Sequence, residues 1–383
     1  MLKKKKHMGL LMAGAALLAA CGNDAAAGED GKDVVTLWAG GSDNVRIAME
    51  SVVDAFNDSE YGEDYELELE YILSGSGTQS LRDRIVAAQK AGETDTDYDL
   101  ILTSDSEFVS YVEEGGEDIF TPVDFEKVPN AENLQASVSV GEDYLVPYRG
   151  TTVVLAYNSD NVPTPPKTAD ELYQWIKDNP GRFAYNTPGS GGAGSSFVTT
   201  AVYNSLPEEA LTSQDESWKD QWDEGFGLLE ELHPHMYQSG GQVVYPNKNQ
   251  GTLDLLANQE VDIIPAWADM VIQQIGQGTL PESTKIAQID PSFTGNVDAM
   301  VMPSIGSDVE GAHAVMDFML TEEAQSILLD EMAAIPLIDA ANLESENSAL
   351  LEGLDVREFR VSSLGTLGTE LNERWDQDIA SLQ

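Results

Sequence analysis

The chain of 383 residues carries 67 acidic against 20 basic side chains, a formal charge of −47 at pH 7. The acids are dispersed through the sequence, and a field of that sign opposes binding to nucleic acid and to anionic lipid headgroups. Apolar residues make up 42% of the chain, enough for real cores, and the length exceeds what a single core usually holds, so two lobes are expected.

The amino terminus reads as an export signal. Lys3, Lys4, Lys5 and Lys6 precede an apolar run over 8–20 that is too short to span a bilayer comfortably. The run ends in Leu18-Ala19-Ala20-Cys21, which resembles the lipobox of bacterial lipoproteins. That resemblance implies a signal peptide over 1–20 and diacylglycerol on the Cys21 thiol, the alternative being an ordinary cleaved signal with an incidental cysteine. Cys21 is the only cysteine, so no intrachain disulfide forms. Residues 21–33 supply the lipidated cysteine and a small, polar, acidic tether. The location expected is the cell membrane, by the lipid anchor, on its extracellular or periplasmic face.

From residue 34 the pattern alternates. A β-rich run over 34–38 stops at Ala39-Gly40-Gly41-Ser42, and apolar residues at helical spacing predict a helix over 45–56. A strand over 67–73 is broken by Ser74-Gly75-Ser76-Gly77-Thr78, and a helix over 81–90 follows. A third strand over 98–102 leads through Thr103-Ser104-Asp105 into a short helix. Strand, loop and helix repeated three times predict a parallel sheet covered by helices, with ligands beyond the carboxyl ends of the strands. Those ends are 38–42, 74–78 and 103–105.

A second lobe repeats the theme. A strand over 151–157 is followed by a proline turn at 163–166, and Thr168 with Glu171 predicts a capping box. A strand over 183–185 opens into a Gly/Ser-rich loop over 186–196 and a helix over 197–203. Later strands are expected over 261–266 and 297–302, with a helix over 313–320.

The stretches VPYRGTTVVLAYNSDNVPTPPKTADELYQW (146–175), LLANQEVDIIPAW (255–267) and MDFMLTEEAQSILL (316–329) resemble the family 1 extracellular solute-binding proteins of ABC importers. The stretch GRFAYNTPGSGGAGSSF (181–197) is most similar to their polyamine, thiamine and iron cluster, including its YnjB-like members. The resemblance covers essentially the whole mature chain. It implies an α/β fold of two doubly wound lobes joined by a two-crossing hinge, the type II periplasmic-binding-protein arrangement. Lobe 1 would comprise 34–147 plus 297–340, and lobe 2 would comprise 148–296 plus 341–383 with the C-terminal helices. It also implies a monomer that captures a small molecule and delivers it to an ABC importer permease, with no cofactor.

The residues themselves suggest what such a cleft holds. The loops over 74–78 and 189–196 each precede a helix whose N-terminus carries partial positive charge. Ser76, Thr78, Ser190 and Ser195, with Ser42 and Arg149, suit a phosphate, sulfonate or carboxylate; ordinary capped turns are the alternative. No Gly-Lys-Ser/Thr follows either loop, which excludes a Walker-type phosphate loop. Trp38 and Trp267 at strand ends suit stacking walls, with lobe-edge packing as the alternative. Asp105, Asp269 and Asp298 suit a cationic group. In polyamine-binding relatives an acid at the place of Asp298 contacts an amine, but those relatives also carry acids where this chain has 189–196. Iron-binding relatives use a neighbouring tyrosine pair, and no Tyr-Tyr occurs here. Thiamine or a similar small organic ion fits this inventory, with a polyamine, phosphonate or sugar as alternatives.

A secreted hydrolase and a surface adhesin are the competing classes. No G-x-S-x-G elbow is present, and the pair His233-Pro234-His235 matches no standard zinc spacing. Neither repeats nor low complexity beyond the tether favour an adhesin. No enzyme and no metal site are expected.

Overall fold

A computed structural model describes residues 31–382 apart from 42, 74–78, 139 and 344. Cys21 and the export signal therefore lie outside the described residues.

The amino-terminal half runs β1 (Asp33–Gly41), α1 (Asp43–Asp58), β2 (Tyr65–Leu73), α2 (Leu81–Ala91), β3 (Leu100–Ser104), α3 (Asp105–Gly115), β4 (Phe120–Thr121) and the long β5 (Val146–Asn158). There follow α4 (Ala169–Asp178), α5 (Gly192–Tyr203), α6 (Asp223–Leu232), β6 (Gln238–Ser239), β7 (Gln242–Val243), α7 (Lys248–Ala257), β8 (Ile263–Trp267), α8 (Ala268–Gly276) and β9 (Thr284–Ala287). The chain closes with β10 (Thr294–Pro303), α9 (Val309–Met319), α10 (Glu322–Met332), β11 (Arg360–Val361) and α11 (Thr366–Asp378).

Strand order β2-β1-β3-β10-β5-β8 places the two long strands in the middle of one continuous sheet. β1 is parallel to β2 and β3, whereas β10 runs antiparallel to β3 and to β5. β5 pairs with β10 up to Thr152 and then, from Val153 on, with β8 and β9. This one strand therefore belongs to two sheet regions, and it hinges two doubly wound lobes.

Local chemistry explains the elements. Val35, Leu37 and Ala39 of β1 are buried together with Thr36 and Trp38, as expected where helices cover both faces of a parallel sheet. At the sheet edge β2 alternates as YELELEYIL, with Leu67 buried and Glu68 and Glu70 exposed, so charge guards the open edge. Ala48, Met49, Val52 and Phe56 put the apolar stripe of α1 into the lobe 1 core beside Met316 and Leu328. The Thr168 hydroxyl caps α4 by accepting from the Glu171 N–H at 3.1 Å. The Glu171 carboxylate reaches back to the N–H of Lys167, one residue before the cap, at 2.8 Å, a variant of the expected box.

Lobe 2 closes around Phe183, Tyr185, Phe197, Trp222 and Phe226, and α11 contributes Leu367, Leu371 and Trp375 to the same core. Between α10 and α11 the chain passes behind the hinge: Ile335 bridges Gly150, and β11 pairs with the start of β10.

Several boundaries differ from expectation. Residues 183–185 form no strand, only a bridge between Phe183 and Ile263, because Asp262 and Ile263 take the Arg182 carbonyl and Tyr237 takes that of Phe183. β3 begins at Leu100 rather than 98, β8 at Ile263 rather than 261, and α5 at Gly192, five residues before the first bulky apolar residue. Among the described residues no helix is long and apolar enough to cross a membrane.

Candidate interlobe site

Antiparallel pairing sets the floor of the site. Across β3, β10 and β5, Ser104, Asp298 and Arg149 stand in one register row, at the carboxyl end of β3. The Ser104 side chain caps α3. The ladder is irregular just after Asp298, between it and Ala299.

Arg149 Nη2 and Asp298 Oδ2 form an ion pair whose side chains are only 16% and 20% exposed. Arg149 also donates through Nε to the Tyr148 hydroxyl at 3.2 Å. Burial by itself would lower the pKa of Arg149, but Asp298 and Tyr148 outweigh it and hold the guanidinium firmly charged. Tyr148, wholly buried beneath it, is pushed up to about 12, chiefly by desolvation.

The second wall comes from the end of β8. Trp267 pairs with Val153 in the strand register and then serves as the N-cap residue of α8. Its indole lies against the first turn of α5, so close that a Cβ on Gly192 would come within 2.7 Å of Cζ2. Two residues on, Asp269 sits in the first turn of α8. Its Oδ1 is buried and accepts no hydrogen bond. Burial raises the Asp269 pKa; the Met270 N–H and Arg149 oppose that rise, and Asp298 adds to it. Asp269, Arg149 and Asp298 thus form one electrostatic group. Glu107, exposed at the start of α3, lies within electrostatic range of Asp298 and Arg82.

The glycine-rich loop is organised for its own folding. Asn186 Nδ2 donates to the carbonyls of Thr187 and Gly191, and a Cβ on Gly194 would stand 1.9 Å from the Asn186 oxygen. Ser190 donates to the Thr187 carbonyl at 2.7 Å and accepts from the Lys248 N–H, while Ser195 donates to the Pro188 carbonyl at 2.7 Å. The N–H of Ala193 is taken by Asn249 Oδ1 from α7 at 3.1 Å. The hydroxyl protons of Ser190 and Ser195 and the Ala193 amide thus have partners within the protein, which leaves fewer donors for an anion than the sequence suggested.

Trp38 has its partners within lobe 1, the packing alternative raised for it. Its Nε1 donates to the Asp97 carbonyl at 2.9 Å, and its ring packs on Tyr98 at 5.0 Å. Both partners precede β3, so the indole points toward the amino end of the sheet and packs in lobe 1 with Ile85 and Ile101. Ser42, Ser76 and Thr78 lie outside the described residues. Asp105 opens α3, but its side chain is not among those described.

Of the expected residues, then, Arg149, Asp298, Trp267 and Asp269 come together. Asn186 and Asn249 were missed; the only trace they leave in the sequence is an asparagine beside each proline-containing turn, at Tyr185-Asn186-Thr187-Pro188 and Pro246-Asn247-Lys248-Asn249. Elsewhere His233 Nδ1 bonds the Tyr245 hydroxyl at 2.8 Å, and His313 Nε2 accepts from the Asp124 N–H at 2.9 Å. Among the described residues no group of three His, Cys, Asp or Glu is placed to hold a metal ion.

Comparison with known proteins agrees with this architecture. Residues 51–350 match a family described as bacterial extracellular solute-binding protein. Protein YnjB of Escherichia coli (strain K12) is 25% identical over 218 residues, 52% of this chain and 54% of that protein. The match therefore spans about half the length of that curated relative. The spermidine/putrescine ABC transporter substrate-binding protein PotD from Streptococcus pneumoniae superposes with a TM-score of 0.62 at 16% identity, over 90% of this chain and 99% of that one. A Trichodesmium protein (IdiA, FutA), solved with iron and citrate, gives 0.61 at 14% identity, over 90% and 98%. At these identities the two structures share the fold.

Proposed function

The chain belongs to the bacterial extracellular solute-binding protein family, and on that premise we propose that it is a lipid-anchored receptor that captures a small organic cation between its lobes and passes it to an ABC importer permease. The lobes are taken as 34–147 with 297–340 and 148–296 with 341–383. The change of partners in β5 between Thr152 and Val153 and the packing of α11 in the lobe 2 core support that division.

One observation carries the ligand class: Asp269 Oδ1 is buried without a partner beside the half-buried Trp267. A buried carboxylate oxygen with no donor is costly, and a cation stacked on an indole relieves that cost and gains a cation–π contact. Arg149, the natural anion anchor, is held by Asp298, which argues against phosphonates. Thiamine, a flat cation, suits this pair of groups; a polyamine is the second reading, favoured by Asp298 standing in the same group. Anchoring rests on the lipobox around Cys21.

The test is a thermal-shift screen with thiamine derivatives, polyamines, phosphonates, sugars and ferric ion, because a ligand that binds only the folded state raises apparent stability by mass action. Stabilisation by an organic cation with no consumption of it supports the proposal; stabilisation only by an anion, a sugar or iron refutes it. For the anchor, Cys21→Ala should release the protein from the cell surface, and retention would refute lipidation.

A further inference from the structure

Successive residues of a strand point to opposite faces, and on the hinge strand β5 the two faces have different neighbours. Arg149 lies on the cleft face with Asp298. A Cβ on Gly150 would instead meet Leu337 Cδ2 at 3.1 Å and Phe359 Cε2 at 3.5 Å, so the chain between α10 and α11 runs behind the hinge. Within it the stretch over 345–363 is fastened to both lobes. Ser345 Oγ bonds Asp330 Oδ1 of α10, and Leu351 is buried in one cluster with Leu329 of that helix. Further on, the backbone of Asp355 exchanges two bonds with the side chain of Gln288, just after β9. Its N–H donates to Oε1 at 2.8 Å, and its carbonyl accepts from Nε2 at 3.3 Å. Arg360 Nη1 then donates to Asn204 Oδ1 at 2.7 Å, and the Ser363 N–H to the Leu211 carbonyl at 2.8 Å, both partners lying in lobe 2.

We propose that this stretch is a strap that restrains closure of the lobes and sets how far open the ligand-free protein stands, whatever ligand the cleft takes. Rotation about β5 and β10 that brings the lobes together on the Arg149 face moves points behind the hinge apart. Asp330 and Gln288 are two such points, and the strap joins them. To let them separate, the chain must pull Leu351, buried at 7% exposure, out of its cluster or give up the bonds to Gln288. Losses of this kind shift an equilibrium between two conformers. The restraint also reaches the site, because Ile272 of α8, the helix whose first turn holds Asp269, lies in the same cluster as Leu351. A ligand that closes the lobes must supply the free energy of stretching the strap, which lowers its apparent affinity and eases its release.

The experiment adds slack to the strap without removing a contact. Gly353 is exposed, has a φ of +94°, and a Cβ there meets nothing within 4 Å. Gly-Ser-Gly inserted after it lengthens the chain between Leu351 and Asp355 at small entropic cost. Small-angle X-ray scattering of the ligand-free protein reads the opening of the lobes as the radius of gyration. The insertion variant and Gln288→Ala, which removes the fastening at Asp355, should both be more compact than wild type with an unchanged circular dichroism spectrum. The same insertion after Gly240, in the exposed turn between β6 and β7 where a Cβ also meets nothing, is the control and should leave the radius at the wild-type value. A folded Gly353 insertion variant no more compact than wild type overturns the strap, and so does equal compaction in the Gly240 control. If the insertion after Gly353 unfolds the chain, Gln288→Ala decides, and an unchanged or larger radius there overturns the inference. No ligand is added, so none of these results bears on the cation reading of the cleft.

Discussion

Gln325 of α10 donates through Nε2 to the carbonyl of Tyr148 at 2.7 Å, and so a lobe 1 helix grips the hinge strand one residue before Arg149. The same amide donates to the Met319 carbonyl at 2.8 Å, and its oxygen accepts from the Leu337 N–H at 3.1 Å. A buried amide with three such partners fixes the hinge strand, the end of α9 and the segment passing behind the hinge relative to one another. Gln325→Leu keeps the volume but leaves those backbone groups without their partner. Each buried group so stranded costs about 1–3 kcal/mol, so the variant should lose at least about 2 kcal/mol of stability. Urea unfolding followed by tryptophan fluorescence measures it.

The last helix is held by a comparable device. Trp375 Nε1 donates to the Tyr185 hydroxyl at 2.9 Å inside the lobe 2 core. Trp375→Phe retains an aromatic ring and removes only the donor. The cost should fall near about 1–2 kcal/mol, whereas Trp375→Ala also opens a cavity and should cost about 3–5 kcal/mol. Equal losses in the two variants would show that the hydrogen bond, not the packing, holds α11.

These two contacts mark where sequence reasoning reaches its limit. Periodicity located α1, α2 and β2 closely, because their apolar spacing is itself the cause of the structure. The places of Trp267 at the end of β8 and Asp269 in the first turn of α8 were legible because the buried apolar run before them marks the strand directly. The Arg149–Asp298 pair was not legible: both residues were candidate ligand contacts, but their pairing depends on the register of β5 on β10, strands far apart in the chain. The partners of Trp38 were not legible, because alternation gives the face of a strand residue and not the direction in which a large ring leans. Residues 183–185 were β-rich but make only the single bridge from Phe183 to Ile263, so tertiary context overrode propensity.

Asp269 sets stability against binding. Its pKa is raised mainly by burial, so folding disfavours its ionised form, and above the raised pKa the charge costs stability. That cost disappears as pH falls through the raised value, because the folded state then binds a proton more readily than the unfolded chain. Asp269→Asn should therefore be more stable than wild type at neutral pH when ligand-free, with the difference closing on acidification. Cation affinity should run the other way, falling in wild type as the carboxylate protonates and remaining low at all pH in the variant. Arg149 and Asp298 are the charged groups that act on Asp269 from the sheet. Thermal denaturation and calorimetry across the same pH series measure the two arms, and a variant less stable than wild type at neutral pH refutes the assignment.

Gly192 offers a test of the wall that does not touch a charged group. A methyl group there meets Trp267 Cζ2 at 2.7 Å and Nε1 at 3.1 Å, and the contact is with a rigid ring rather than the end of a flexible chain. The indole must then tilt away from α5. Since alanine favours the helix more than glycine by about 1 kcal/mol, Gly192→Ala gains helix propensity while displacing the ring, and global stability should change little. Cation affinity should fall about tenfold, the scale of losing a well-placed aromatic contact, and the Trp emission of the ligand-free protein should shift. Glycine→alanine at Gly227, where a Cβ meets nothing within 4 Å, is the matched control and should leave binding unchanged. If Gly192→Ala also leaves binding unchanged, Trp267 is lobe packing and not a wall of the site.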